Sequence, residues 1–122
     1  MLLKINLKLA FPPSVNHYWL HVPKRGVVLS REARAYRLSV QNDVFMQLGF
    51  NVQPIVLPVS VALLLYPPDK KRRDIDNYTK GLFDSLTSAG VWLDDSQVKD
   101  LRISWKKPEK GGYAFVTIKT IG

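Results

Sequence analysis

The run Val59-Ser60-Val61-Ala62-Leu63-Leu64-Leu65-Tyr66 stands between Pro58 and Pro67-Pro68. Apolar residues crowd both alternations of this segment, which predicts a central strand buried on both faces. Pro67-Pro68 ends it abruptly, because proline has no amide hydrogen to give to a sheet ladder. A chain of 122 residues arranged round one such strand is expected to form a single domain, residues 1–122.

The flanking pattern predicts what packs on that strand. Over residues 2–10, Leu3, Ile5, Leu7 and Leu9 alternate with Lys4, Asn6 and Lys8, the period of two that marks a half-buried strand. Phe11-Pro12-Pro13-Ser14 closes it. Short β-prone runs at residues 17–22 and 27–29 flank Pro23-Lys24-Arg25-Gly26 and predict a hairpin with a basic tip. Ser30 suits the N-cap of a helix running to Leu48, with Ala33, Tyr36, Val40, Val44 and Leu48 on one stripe and Gly49 as its stop. A second helix is expected from the stripe Ile75, Tyr78, Thr79, Leu82, Phe83, Leu86 and Ala89, ended by Gly90. Residues 98–105 and 113–121 predict two strands joined as a hairpin through Lys110-Gly111-Gly112. The expected fold class is α+β, a mixed sheet packed by two helices in the order β, β-hairpin, α, β, α, β, β. The sequence has no internal repeat or low-complexity segment.

Composition narrows the chemistry. There are no cysteines, which removes disulfides, thiolate metal sites and cysteine nucleophiles together, and two histidines leave little for an imidazole site. His17 and His21 fall in the expected hairpin and share no helical face, so no zinc pair is expected. Any bound metal should be hard and held by oxygen. No apolar run approaches the roughly 18 to 20 residues that span a bilayer, and the alternating start differs from a signal-peptide core, so a cytoplasmic protein with no membrane partner is expected. The formal net charge of +8 points to a polyanion, since each cation that meets a phosphate releases a counterion. Within this basic chain, seven of the ten acids fall between residues 69 and 100.

Two segments concentrate the reactive groups. The first is Lys70-Lys71-Arg72-Arg73-Asp74-Ile75-Asp76-Asn77-Tyr78-Thr79-Lys80. If Asp74 to Asp76 is extended, both carboxylates point to one side about 7 Å apart, and Lys80 reaches the same space from one helical turn on. The second is Trp92-Leu93-Asp94-Asp95-Ser96-Gln97-Val98, where adjacent carboxylates invite Mg²⁺. A helix of about 15 residues separates its ends by roughly 22 Å, so these acids join the first pair only if the chain runs back or a partner chain supplies them. Each feature also has an ordinary role. Asp74 suits a helix N-cap, Lys80 suits surface pairing with Asp76 or Asp84, Asp94-Asp95 suits a solvated turn, and the basic run suits a solvated loop. Trp19, Trp92, Trp105 and Tyr18 suit core packing or stacking on unpaired bases. Leu38 and Phe45 lie off the main stripe of the first helix and suit a partner subunit. The coincidence of clustered acids and adjacent cations favours a metal-dependent phosphodiesterase over a non-catalytic nucleic-acid-binding module.

These motifs, with Phe11-Pro12-Pro13-Ser14-Val15-Asn16 before them, resemble those of the RusA-type Holliday-junction resolvases over nearly the whole chain. The resemblance implies a homodimeric, structure-specific endodeoxyribonuclease that binds four-way DNA junctions and makes paired symmetric nicks in recombination and repair, with Mg²⁺ or Mn²⁺ and no small-molecule cofactor. It implies catalytic roles for Asp74, Asp76, Asp95 and Lys80, with the three acids as metal ligands and Asp94 as a further candidate. Lys24, Arg25, Lys70, Lys71, Arg72, Arg73 and Asn77 are the expected DNA contacts. Its setting would be the nucleoid of a bacterial or phage-infected cell.

Overall fold

The computed structural model describes residues 3–121, so Leu2 of the expected first strand lies outside the described residues, as do Met1 and Gly122. The elements run β1 (Lys4–Ala10), β2 (Trp19–Val22), β3 (Gly26–Leu29), α1 (Arg31–Leu48), β4 (Val59–Tyr66), α2 (Lys80–Ser88), β5 (Val98–Trp105) and β6 (Tyr113–Thr120). Strands β1, β6, β4 and β5 form one sheet in that order. Strands β2 and β3 make the expected hairpin apart from it, with Lys24 and Gly26 at positive φ in the turn.

The one-domain α+β architecture follows from a single shared core. Leu7 and Leu9 of β1, Val59, Val61, Leu63 and Leu65 of β4, and Ala114, Val116 and Ile118 of β6 are buried on one face of the sheet. Tyr36, Val40 and Val44 of α1 and Leu82 and Leu86 of α2 join the same core. Ser30 caps α1 as its sequence predicts, accepting a hydrogen bond from the Ala33 amide at 3.0 Å. Gly49 ends α1 at φ 88°.

Three expectations need correction. The central strand is buried on one face only, because Ser60, Ala62, Leu64 and Tyr66 are half-buried on the side that no helix covers. Their apolar character is used laterally: Leu64 pairs with Phe115, and Tyr66 stacks on Tyr113 at 4.3 Å. Second, β5 and β6 do not form a hairpin. The α2 crossover lays β5 parallel to β4, and β6 runs antiparallel on the other side of β4. The Lys110-Gly111-Gly112 turn exists, with both glycines at positive φ, but its segment arches over the end of β4. There Lys106 donates to the Leu65 carbonyl and Glu109 to that of Pro67, each at 2.8 Å. Third, α2 starts at Lys80, since Ile75–Tyr78 coils into a separate 3₁₀ turn.

Candidate active site and nucleic-acid interface

Lys80 opens α2 and is gripped from within its own helix. Its Nζ lies 3.3 Å from both carboxylate oxygens of Asp84, the residue one turn on. Asp84 is itself held, because the Tyr18 hydroxyl donates to its Oδ2 at 2.7 Å. Arg37 of α1 donates to the Tyr18 oxygen at 3.3 Å. Burial, reinforced by that bond to the Asp84 carboxylate, raises the Tyr18 pKa and keeps the phenol a donor. Arg37 Nε is buried and has no acceptor among the described residues. An ammonium has three N–H bonds, so pairing with Asp84 leaves Lys80 donors free for an incoming oxyanion.

The acids of the second segment reach this place. Asp94 and Asp95 line the same cleft as Arg37, Lys80 and Asp84, with a volume of about 510 Å³. Helix α2 has nine residues, so its ends are only about 13 Å apart and the following loop spans them. Gln97 pins that loop: its Oε1 accepts from the Leu93 and Asp94 amides, and its Nε2 donates to the carbonyls of Ile55 and Leu57. Asp94 caps the 3₁₀ turn Asp95–Gln97, and hydrogen bonds from Ser96 hold its carboxyl below the usual range.

Asp74 and Asp76 are not among the residues that line this cleft. Asp74 has extended backbone, but Asp76 is inside the 3₁₀ turn, so the period-two argument that would point both carboxylates one way does not apply. Asp74 lines a cleft of about 400 Å³ with Asn16, His17, Arg72, Arg73 and Asn77. Asp76 is exposed on the turn. Among the described residues, no three carboxylate or imidazole groups come close enough to hold a metal ion. Mg²⁺ needs only one or two carboxylates, with water and substrate phosphate completing its shell, and Asp94 and Asp95 in the Lys80 cleft have that chemistry.

The basic residues divide into free and engaged. Lys24 and Arg25 are exposed at the hairpin tip, and Lys70, Lys71 and Arg72 are exposed on their loop. Arg73 is turned inward, paired with Asp69 at 2.8 Å and donating to the carbonyls of Asp69 and Lys71. The Lys71 amide and the Arg73 guanidinium hold the Asp69 carboxyl below the usual range. Trp92 is a core residue, 1% exposed, with its indole N–H on the Thr87 hydroxyl at 2.7 Å. Arg37 and Tyr18 complete the Lys80 cleft from far along the chain. Nothing in the spacing near Lys80 marks Arg37, whereas the i, i+4 spacing of Lys80 and Asp84 is visible directly.

Carboxylates and an oriented ammonium in one cleft, with free cations on adjoining loops, suit cleavage of a phosphodiester, and the class of protein is that of a nuclease. The family model described as endodeoxyribonuclease RusA matches residues 10–119, and the chain belongs to that family. It is 38% identical over 120 residues to the crossover junction endodeoxyribonuclease RusA of Escherichia coli strain K12, covering 96% of this chain and 95% of that protein. The protein of the same name from Enterobacteria phage 82 is likewise 38% identical, over 121 residues. Among the described residues no helix is long and apolar enough to cross a membrane.

Proposed function

We propose that this endodeoxyribonuclease resolves four-way DNA junctions as a homodimer, with Mg²⁺ as its metal and one nick from each protomer. Its relatives are crossover junction endodeoxyribonucleases along nearly their whole length. The observation that carries the residue assignment is the Lys80 cleft, where an ammonium fixed by Asp84 faces Asp94 and Asp95. Lys80 stabilises negative charge developing on the scissile phosphate. Asp84, Tyr18 and Arg37 hold the ammonium in place rather than react.

A homodimer answers two needs at once. A junction has approximate two-fold symmetry, so a two-fold dimer sets equivalent sites on two like strands. It also offers the acids of a second chain, which matters because no three carboxylate or imidazole groups cluster among the described residues of one protomer. Asp74, Asp76 and Asp95, with Asp94 beside the last, are the residues that would hold Mg²⁺, which polarises a phosphate and activates water when bound. Lys24, Arg25, Lys70, Lys71, Arg72 and Asn77 meet DNA, while Arg73 shapes the loop that carries three of them. The activity belongs at the nucleoid of a bacterial or phage-infected cell. The test is incubation of the pure protein with labelled four-way and linear DNA, with Mg²⁺ and with EDTA. Paired nicks on the junction that need Mg²⁺ are expected. Junction binding with no cutting under any divalent metal would leave a binding module in place of an enzyme.

A further inference from the structure

A third cleft, of about 390 Å³, lies between the basic loop and the segment that arches over β4. Its walls combine two kinds of surface. Pro67, Trp105 and Pro108 are apolar, and Lys70, Arg72 and Lys106 are cationic and exposed. Trp105 closes β5 and is half-buried, packed on Phe11 in near-parallel fashion at 6.3 Å and on the edge of Tyr78 at 5.6 Å. Those contacts fix the indole from the core side, while its remaining surface lines the cleft. The Asp69 carboxylate at the rim is already neutralised by Arg73.

An aromatic plane held rigid on one side and ringed by lysine and arginine fits a nucleotide. The indole and the exposed Pro108 offer a stacking floor to any base, and the cations meet the phosphates on either side of it. In a continuous duplex every base is already stacked on its neighbours, so the cleft has nothing to receive. At a branch point a base can leave the stack. We infer that this cleft takes an unpaired base from the crossover of branched DNA, with Trp105 as the stacking residue and Lys70 and Lys106 on the flanking phosphates. The inference rests on the junction-nuclease reading and adds to it a source of selectivity for branched over linear DNA that lies outside the Lys80 cleft.

The test compares binding to a four-way junction and to a linear duplex of equal length, for the unaltered protein and for Trp105→Leu, Lys70→Ala and Lys106→Ala. Trp105→Leu should lower junction affinity roughly ten-fold more than duplex affinity, as expected when one stacked base is lost. The two lysine variants should weaken both DNA forms to similar extents. Because Trp105 also packs on Phe11 and Tyr78, a second measurement uses the unaltered protein. A junction with 5-iodouracil at the crossover is irradiated, and the crosslinked peptide is identified by mass spectrometry. Crosslinking to the peptide that contains Trp105 is expected. A crosslink outside residues 67–73 and 105–108, or equal losses on both DNA forms in a folded Trp105→Leu, overturns the inference while leaving the nuclease reading intact. Failure of the unaltered protein to bind either DNA overturns both.

Discussion

Lys80 and Asp84 show how a residue with an ordinary surface pairing is set apart by what lies behind it. An exposed i, i+4 pair contributes a few tenths of a kcal/mol to a helix, but here Asp84 is anchored by a buried tyrosine and the ammonium faces a cleft. Lys80→Ala is expected to slow junction cleavage by roughly 10² to 10³-fold, with junction affinity changed less than about ten-fold because one of many phosphate contacts is lost. Single-turnover cleavage and gel-shift titration separate the two effects. Asp76→Asn should abolish cutting yet keep or strengthen junction binding, since it removes a negative charge facing phosphates. Lost binding by a folded Asp76→Asn would count against its place as a metal ligand.

A buried tyrosine of α1 makes stability depend on alkaline pH. Burial, with Asp43 nearby, raises the Tyr36 pKa well above its ordinary 10.0, and its hydroxyl donates to the Ala10 carbonyl at 2.8 Å. The unfolded chain releases this proton near the ordinary value while the folded chain keeps it. The contribution to stability is therefore complete below that pH and shrinks as pH rises above it, at about 1.4 kcal/mol per pH unit. Tyr36→Phe should cost about 1 to 3 kcal/mol at pH 7 through the unpaired carbonyl, yet show a shallower decline in urea midpoint above pH 10 than the unaltered protein.

At the level of elements, the arch from Lys106 to Gly112 depends on one close approach. A Cβ on Gly112 would sit 2.9 Å from the backbone nitrogen of Pro68, at a φ of +65°. Gly112→Ala should destabilise the fold by about 2 to 5 kcal/mol, measured by denaturant unfolding, whereas Gly26→Ala meets open space and carries only the backbone strain of its φ. This arch is also where the sequence misleads. Lys110-Gly111-Gly112 has true hairpin turn chemistry, and local chemistry cannot say that the strands on either side pair with β4 and not with each other. What could be seen in advance was local as well: the Ser30 cap, the stripe from Ala33 to Val44, the β1 alternation, and the acids and cations of residues 70–80. The 3₁₀ turn at Ile75–Tyr78 was hidden because its apolar residues also fit a helical stripe. Tyr18 and Arg37 could not be assigned to the Lys80 cleft because tertiary packing alone brings them there.

For the molecule as a whole, the unanswered surface is the outer side of α1. Leu38 is 67% exposed, Met46 72% and Phe50 87%, and Phe45 meets Phe50 edge-on at 4.3 Å. Exposed apolar side chains gathered like this suit a second copy of the chain. The protein is expected to sediment as a dimer at micromolar concentration, and Leu38→Glu or Phe45→Glu should shift it toward monomer by at least ten-fold in dissociation constant, since burying an unpaired carboxylate costs several kcal/mol. A monomer at that concentration without DNA would contradict the dimer, while an unchanged dimer in both variants would move the interface to another face.

The sheet order has a consequence for how such a nuclease comes into being. Strand β6 lies between β1 and β4, with Lys4 opposite Lys119, so β1 waits for a partner more than 100 residues later in the chain. During translation, at about 5 to 20 residues per second, β1 leaves the ribosome several seconds before its neighbour exists, and β4 has only β5 beside it. The Lys80 cleft borrows Tyr18 and Arg37 from early in the chain and Asp95 from late. The cleft is thus completed only after most of the chain has been made.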